Sequence, residues 1–565
     1  MKLTINGIHI DPLPGQSILD MIRILKIDET RLSQRPLAAK IAGEVFNLNY
    51  IPVRVTRDED EPASIRKAMA ASGGVIELLY YHNPSGKDVY CRTAQFLLFL
   101  ALHRLWPNGK ASMSSTVGST LYIRVDNEQF CAQTLKDEVK RLVQMDIPLI
   151  RKRTSTQAAI AHFQQSGQLD KARLLQWRKK DYFDQYFYGN FSDYYYGELA
   201  PSSGYLQVWD ILPAEGGFLF IYPNDTDPDT VSAFLETPKL FSVITEGDRW
   251  CRLMECKTVA DLNDLTQNHG IRQLIRVNEA LHEKRYSQIA DMICERGCRA
   301  VMLAGPSSSG KTTSANRLAT QLRVHGKKPI MIGLDDYYVN RDTIKPGPDG
   351  QIDLEHINTI DTLLFREHVK KLLDGKEVEL PTFNFITGKR QWDGHKIQLH
   401  TDTVIIVEGL HALNPALMPE DFSREDIFRL FVSPILPLNL DDHNRIPSSY
   451  LRLLRRIVRD YETRGSSVEK TMSMWDSVRR GEKLWIFPFL ESADVIFNSA
   501  TLYELAVLKK HIYPLLTEIT PDKSCYEQVR AIVKILNYVV EADVDDEIPP
   551  TSLIREFIGG NSFYK

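Results

Sequence analysis

From residue 300 onward the chain repeats one hydrophobic pattern: a short unbroken apolar run, a glycine turn, then a segment of helical periodicity. "AVMLAG" leads into "KTTSANRLATQLRVHG", and "KPIMIGLDD", "DTVIIVEG" and "FRLFV" repeat the apolar run. Unbroken β-rich runs, rather than alternating ones, predict strands buried on both faces of a parallel sheet. We therefore expect an α/β domain over residues 299–500 and a mostly helical tail over 501–565. Earlier in the chain the pattern differs. "KLTINGIHI" alternates apolar and polar residues around Asn6-Gly7, which predicts a hairpin. Ser17, with Asp20 three residues later, predicts the start of a helix in "PGQSILDMIRIL". With further short strands, residues 1–58 predict a small β-grasp module, and the acidic "RDEDEPAS" at 57–64 a linker. Residues 59–245 mix helical stretches such as "TAQFLLFLALHRLW" with strand-like "LYIRV" and "GFLFIYP", an α+β pattern, and 246–298 predict a helical connector.

A chain of 565 residues is too long for one core, so several domains are expected. Its hydrophobic fraction of 43% and net charge of −4 exclude a disordered chain and give no global drive toward nucleic acid. The N-terminus lacks a signal-peptide pattern and no run approaches the ~18 apolar residues of a membrane span, so a soluble, cytoplasmic protein is expected. The 7 cysteines are too sparse and uneven for a disulfide framework, and Cys294 and Cys298 lack the further ligands of a zinc site.

The candidate chemistry centres on "GPSSSGKTT". Gly305, Gly310, Lys311 and Thr312 fit G-x-x-x-x-G-K-[ST], placed after an apolar strand and at a helix start, as a phosphate-binding loop requires. Ser307, Ser308, Ser309 and Thr313 complete the loop. The glycines let the backbone wrap phosphates, N–H groups at the helix start face the anion, Lys311 adds charge, and Thr312 can ligate magnesium. Asp335 and Asp336 follow one predicted strand and Glu408 another, which puts all three at strand C-terminal ends beside the loop. One acid beside magnesium and another accepting a hydroxyl proton is what phosphoryl transfer to an alcohol needs. In "LRLLRRIVRDYETRG", Arg452, Arg455, Arg456 and Arg459 share a helix face and Arg464 ends it. They read either as a plain basic surface or as arginines closing over the transferred group.

These motifs, with "DDYY", "DLEHINTID", "LPTFNFITGKR" and "VIIVEGLHAL" in order, resemble the uridine kinase and phosphoribulokinase family over residues 299–500. The resemblance implies ATP and Mg2+ as cofactors. It makes Lys311 and Thr312 the holders of ATP and magnesium, Asp335 the base for the acceptor hydroxyl beside the metal, and Glu408 a further metal residue. It also puts Tyr338 and Phe383 near the acceptor, makes Arg456, Arg459 and Arg464 lid arginines, and leaves the sugar-gripping acid as either Asp353 or Glu355. Two departures stand out against the family's Y-D-F-x-x-H-x-R: its tyrosine is Phe383 and its histidine Gly388. The arginine expected after R-G is Ser466. A polar atom of a buried ring that has no partner costs about 1–3 kcal/mol, so the base is expected to be read differently from uridine.

The N-terminal half resembles two other modules. Residues 1–58 resemble a TGS module, and residues from about 60 to 225, anchored by "ALHRLWPNGK", resemble the editing domain of threonyl-tRNA synthetase. Where that family carries H-x-x-x-H and C-x-x-x-H, this chain has Phe96, Leu100, Tyr195 and Leu199, so metal binding and aminoacyl hydrolysis are expected to be absent. The basic "RKR" at 151–153 and "WRKK" at 177–180, beside "YFYGNFSDYYYG", read as solvated charges next to a tyrosine-rich core or, less simply, as an RNA or tRNA surface. The leading expectation is an ATP-dependent nucleoside kinase; the alternative is an RNA-binding or ligand-sensing regulator with the nucleotide domain as its switch. Oligomerisation is left open.

Overall fold

In the computed structural model, residues 3–27, 29–41, 43–52, 74–345, 353, 355–418 and 425–563 are described. Its contacts divide the chain into two units: Met1–Glu236 with Thr258–Ala260 and Asn439–Arg445, and Thr237–Lys257 with Asp261–Leu438 and Ile446–Lys565.

In the first unit Asn6 and Gly7 turn the hairpin Leu3–Ile5/Ile8–Ile10 with φ of 47° and 82°, the left-handed pair that an Asn-Gly turn demands. Ser17 caps the helix Ile18–Ile24, accepting the Asp20 N–H at 3.1 Å while Asp20 accepts the Ser17 N–H at 2.9 Å. The sheet beneath has the order Ile8–Ile10, Leu3–Ile5, Val75–Leu79, Ala38–Ile41, Glu44–Phe46, with Leu3–Ile5 and Val75–Leu79 parallel. The strand between the hairpin and Ala38–Ile41 thus lies beyond the boundary expected at residue 58. The linker expected at 57–64 lies outside the described residues.

The rest of this unit surrounds the helix Pro84–Leu105, buried almost throughout from Tyr90 to Leu102, with a four-stranded antiparallel sheet of residues 110–126 and 210–221 and a three-stranded one of residues 150–155 and 182–193. Phe96, Leu100 and Leu199 share one apolar core with Tyr195 packed against it, the Phe96 and Tyr195 rings 6.5 Å apart. In the basic "RKR", Arg151 pairs with Glu198 and Arg153 with Asp184 at 2.8 Å. The boundary expected at 245 falls inside the helix Pro238–Leu253, which belongs wholly to the second unit.

The second unit is built on the predicted parallel sheet, ordered Lys328–Gly333, Thr403–Glu408, Ala300–Ala304, Ile427–Ser433, Val495–Asn498. Alternate residues enter two cores: Ala300, Met302, Ile405 and Val407 on one face, Val301, Leu303, Val404 and Ile406 on the other. Two buried faces are why these strands read as unbroken apolar runs. The tail after residue 500 adds the helices Glu504–Thr517, Tyr526–Leu536 and Arg555–Ile558. Among the described residues no helix is long and apolar enough to cross a membrane.

Candidate active site

The loop between the strand Ala300–Ala304 and the helix Lys311–Val324 needs its two glycines for different reasons. A Cβ on Gly305 would lie 2.1 Å from the Val432 carbonyl oxygen, so strand and loop could not approach. Gly310 has φ of 85°, which strains any other residue. No side chain of Gly310 caps the helix, so its first turn presents N–H groups at the positive end of the helix dipole. The buried Ser308 and Ser309 hydroxyls have no hydrogen-bond partner among the described residues, and Lys311 Nζ donates to the Pro306 carbonyl at 3.2 Å.

The arginine helix Ser448–Arg464 contributes to this loop in two ways. Arg452 and Arg455 do not join a lid: they are 2% and 0% exposed and ion-paired with the buried Glu482 and Glu504. From there Arg452 donates to the Ser307 carbonyl at 3.1 Å and Arg455 to those of Ser308 and Ser309 at 3.4 Å, while Glu482 accepts the Ser307 N–H at 3.1 Å. Arg456, Arg459 and Arg464 gather around Asp460, at 3.3, 2.9 and 3.3 Å. Arg456 also donates to Ser307 Oγ at 2.8 Å, and the charge of Arg464 acts on Asp335. Sequence spacing put Arg452, Arg455, Arg456 and Arg459 near one helix face with Arg464 at its end; burial separates the two that brace the loop from the three that gather on Asp460.

Three carboxylates share the field of Lys311. Asp335 reaches solvent, yet the protein packed around its carboxyl desolvates it and raises it above the ordinary carboxylate range, with Lys311 opposing the shift and the Tyr338 hydroxyl hydrogen-bonded to it. Burial lifts Glu408 to about 7 against the pull of Lys311, and its Oε2 accepts from Thr312 Oγ1 at 3.2 Å. Burial likewise lifts Glu355 to about 7, with Arg456 and Lys311 opposing. Asp353 instead accepts the Glu355 N–H at 3.0 Å. His411, 2% exposed and held down to about 4 by burial, hydrogen-bonds to the Glu355 backbone. His411 lies within "VIIVEGLHAL" but was given no role there, and no motif marked Glu482 or Glu504, because a buried counter-ion has no spacing rule to reveal it.

Residues 300–417 and 425–506 match the phosphoribulokinase/uridine kinase family. A uridine kinase of Lactobacillus johnsonii is 30% identical over 208 residues, 36% of this chain and 88% of that one. The chain belongs to the phosphoribulokinase/uridine kinase family. A threonine–tRNA ligase of Syntrophomonas wolfei is 22% identical over 207 residues, 35% of this chain and 29% of its own length. Among solved structures, a D-glycerate 3-kinase of Cryptococcus neoformans var. grubii aligns over 49% of this chain and 89% of its own, at 16% identity and a TM-score of 0.20.

Within this kinase family fold, the side of the site away from the loop is aromatic. Phe383 lies 5.5 Å from the Tyr338 ring and 5.2 Å from Phe385. Gly388 has φ of 67°, and a Cβ there would meet Arg341 Cδ at 2.7 Å, so the Arg341 side chain fills the space a larger residue would need. Arg390 locks the Tyr338 segment, donating to the Tyr337 and Tyr338 carbonyls at 3.1 Å and to Asp361 at 3.0 Å.

Proposed function

We propose that the second unit is an ATP- and magnesium-dependent kinase that transfers the γ-phosphoryl group to the 5′-hydroxyl of a nucleoside or similar sugar alcohol. The observation that carries this reading is Asp335: a solvent-accessible acid whose carboxyl is raised by partial desolvation, at the C-terminal end of a strand, within the fields of Lys311 and Arg464 and hydrogen-bonded to Tyr338. A base needs a pKa lifted toward working pH and a place beside the reacting hydroxyl. Thr312 Oγ1 and Glu408 Oε2, two hard oxygens 3.2 Å apart beside the loop, suit magnesium, which takes one or two protein oxygens and leaves its other positions to phosphates and water. When bound there the ion neutralises phosphate charge.

The chain's own residues then divide the work. The loop N–H groups and Lys311 hold the phosphates, Arg456, Arg459 and Arg464 lie where charge builds up on the transferred group, and Asp335 takes the acceptor proton. We assign the sugar-gripping role to Glu355 rather than Asp353, because Glu355 is the acid facing Lys311 and Arg456. Phe383 and the filled space at Gly388 support a base held by stacking rather than by polar reading. This reading predicts a broader choice of base than polar recognition would allow.

The test is incubation with magnesium-ATP and a panel of ribonucleosides and deoxyribonucleosides, following ADP and product mass, with Lys311→Ala as control. Asp335→Asn is expected to lower turnover by about 10²–10⁴-fold while ATP still binds. Full phosphotransfer by Asp335→Asn would overturn the assignment of Asp335 as the base, whereas ATP binding with no product from any acceptor would leave the nucleotide domain as a switch.

A further inference from the structure

Thr313 is the third residue of the loop helix, so its N–H is one of those with no partner inside the helix, and it is fully buried. That N–H is already taken. Glu556 Oε2, from the C-terminal segment, accepts it at 3.2 Å and accepts the Thr313 hydroxyl at 2.7 Å. Asn561 Nδ2 reaches the same hydroxyl at 3.4 Å. We propose that the segment Ser552–Asn561 is part of the nucleotide site and that Glu556 is a resident anion, which a nucleotide phosphate must displace from Thr313 in order to bind. The proposal rests on the nucleotide reading of the loop given above.

The segment is placed by packing rather than by this one contact. Leu553 and Phe557 are 1% and 0% exposed and share a core with Ala315 and Leu318 of the loop helix. Leu553 closes over Gly310, where an added Cβ would meet three of its carbons at 2.6 Å, and the Phe557 ring lies 5.0 Å from the Arg455 guanidinium. Ser552 Oγ donates to the buried Glu279 at 2.7 Å. Between these anchors Glu556 is only half-buried, and its carboxylate is held by Thr313 rather than by a cation. Its backbone is therefore anchored on both sides, while the two hydrogen bonds from Thr313 are what hold its carboxylate.

The charge is what matters. A carboxylate and a phosphate oxygen are both acceptors for the same N–H, and two anions at that distance repel. Glu556 also adds negative charge near Glu408, already lifted by its own burial. Removing the Glu556 charge should therefore tighten every phosphate-bearing ligand of the loop and leave a phosphate-free one unaffected. Glu556→Gln keeps the length, and its amide oxygen can still accept from Thr313.

The experiment is calorimetric titration of the full chain and of Glu556→Gln with magnesium-ADP, inorganic tripolyphosphate and adenosine. A second measurement follows hydrogen exchange of residues 552–561 in the unmodified protein with and without magnesium-ADP, which needs no variant to fold. The proposal expects Kd for magnesium-ADP and tripolyphosphate to fall about tenfold or more in the variant, adenosine to be unchanged, and exchange in 552–561 to rise on nucleotide binding. Binding by the variant alone would support it equally. Equal or weaker phosphate binding by the variant would overturn it while leaving the nucleotide reading intact. Absence of phosphate binding by both proteins would overturn both.

Discussion

Arg455→Met offers the sharpest test of how the phosphate loop is held. The Arg455 side chain is 0% exposed and so is its partner Glu504. Four hydrogen-bonding relations converge on it: the Glu504 carboxylate, with one contact at 2.8 Å, the Ser499 carbonyl at 2.8 Å, and the Ser308 and Ser309 carbonyls at 3.4 Å. Methionine approximates the volume and removes the charge. Glu504 is then left buried without its counter-ion, which costs about 3–5 kcal/mol where such pairs have been broken singly. Replacing both residues, as Arg455→Met/Glu504→Leu, removes the stranded charge and should recover most of that loss, because desolvating two ions offsets much of their attraction. The remaining deficit is the unbraced loop, at about 1 kcal/mol for the net worth of its hydrogen bonds. The assay is urea unfolding read by hydrogen exchange of peptides from the parallel sheet, which isolates this unit in a multidomain chain. Both mutants should also bind magnesium-ADP more weakly, since neither keeps a donor to the Ser308 and Ser309 carbonyls. If the single mutant were as stable as the unmodified protein, or the double mutant less stable than the unmodified protein by the sum of two independent losses, the buried pair would not be the brace described here.

In the first unit, Lys171 is fully buried and paired with Asp193 at 3.1 Å, and His443 sits 2.6 Å from the same carboxylate. Lys171→Met should destabilise that unit by about 3–5 kcal/mol, measured by hydrogen exchange of the helix Pro84–Leu105, and an unchanged exchange pattern would show the charge to be dispensable. A pH dependence is expected from Glu355. Its folded pKa of about 7 exceeds its ordinary value of 4.5, so between those pH values the folded state binds the extra proton. Stability of the nucleotide-free protein should therefore decline as pH rises from about 4.5 to about 7 and then level off, by roughly 1–3 kcal/mol once partial exposure is discounted. Glu355→Gln should flatten that slope in a thermal-melt series, and a slope of unchanged size would assign it to other groups.

What was legible in the sequence was whatever local rules encode. Asn6-Gly7 turned where a left-handed pair is required, Ser17 and Asp20 capped their helix, and unbroken apolar runs became a parallel sheet with a core on each face. The Gly305–Thr313 loop, with Asp335 and Glu408 at strand ends, followed from the same pattern, since strand order and direction bring those ends together. The tertiary structure alone decided the rest. It supplied the strand Val75–Leu79 to a sheet expected to end by residue 58 and drew Asn439–Arg445 into the first unit. It divided one arginine-rich helix face into two roles, bringing buried Glu482 and Glu504 to Arg452 and Arg455 while Asp460 gathered the others. It set Glu556 on Thr313 across 243 residues of chain. Charge pairing, burial and the pKa shifts they cause depend on distances in space, and a periodic pattern fixes those distances only for neighbours within one turn or one strand pair.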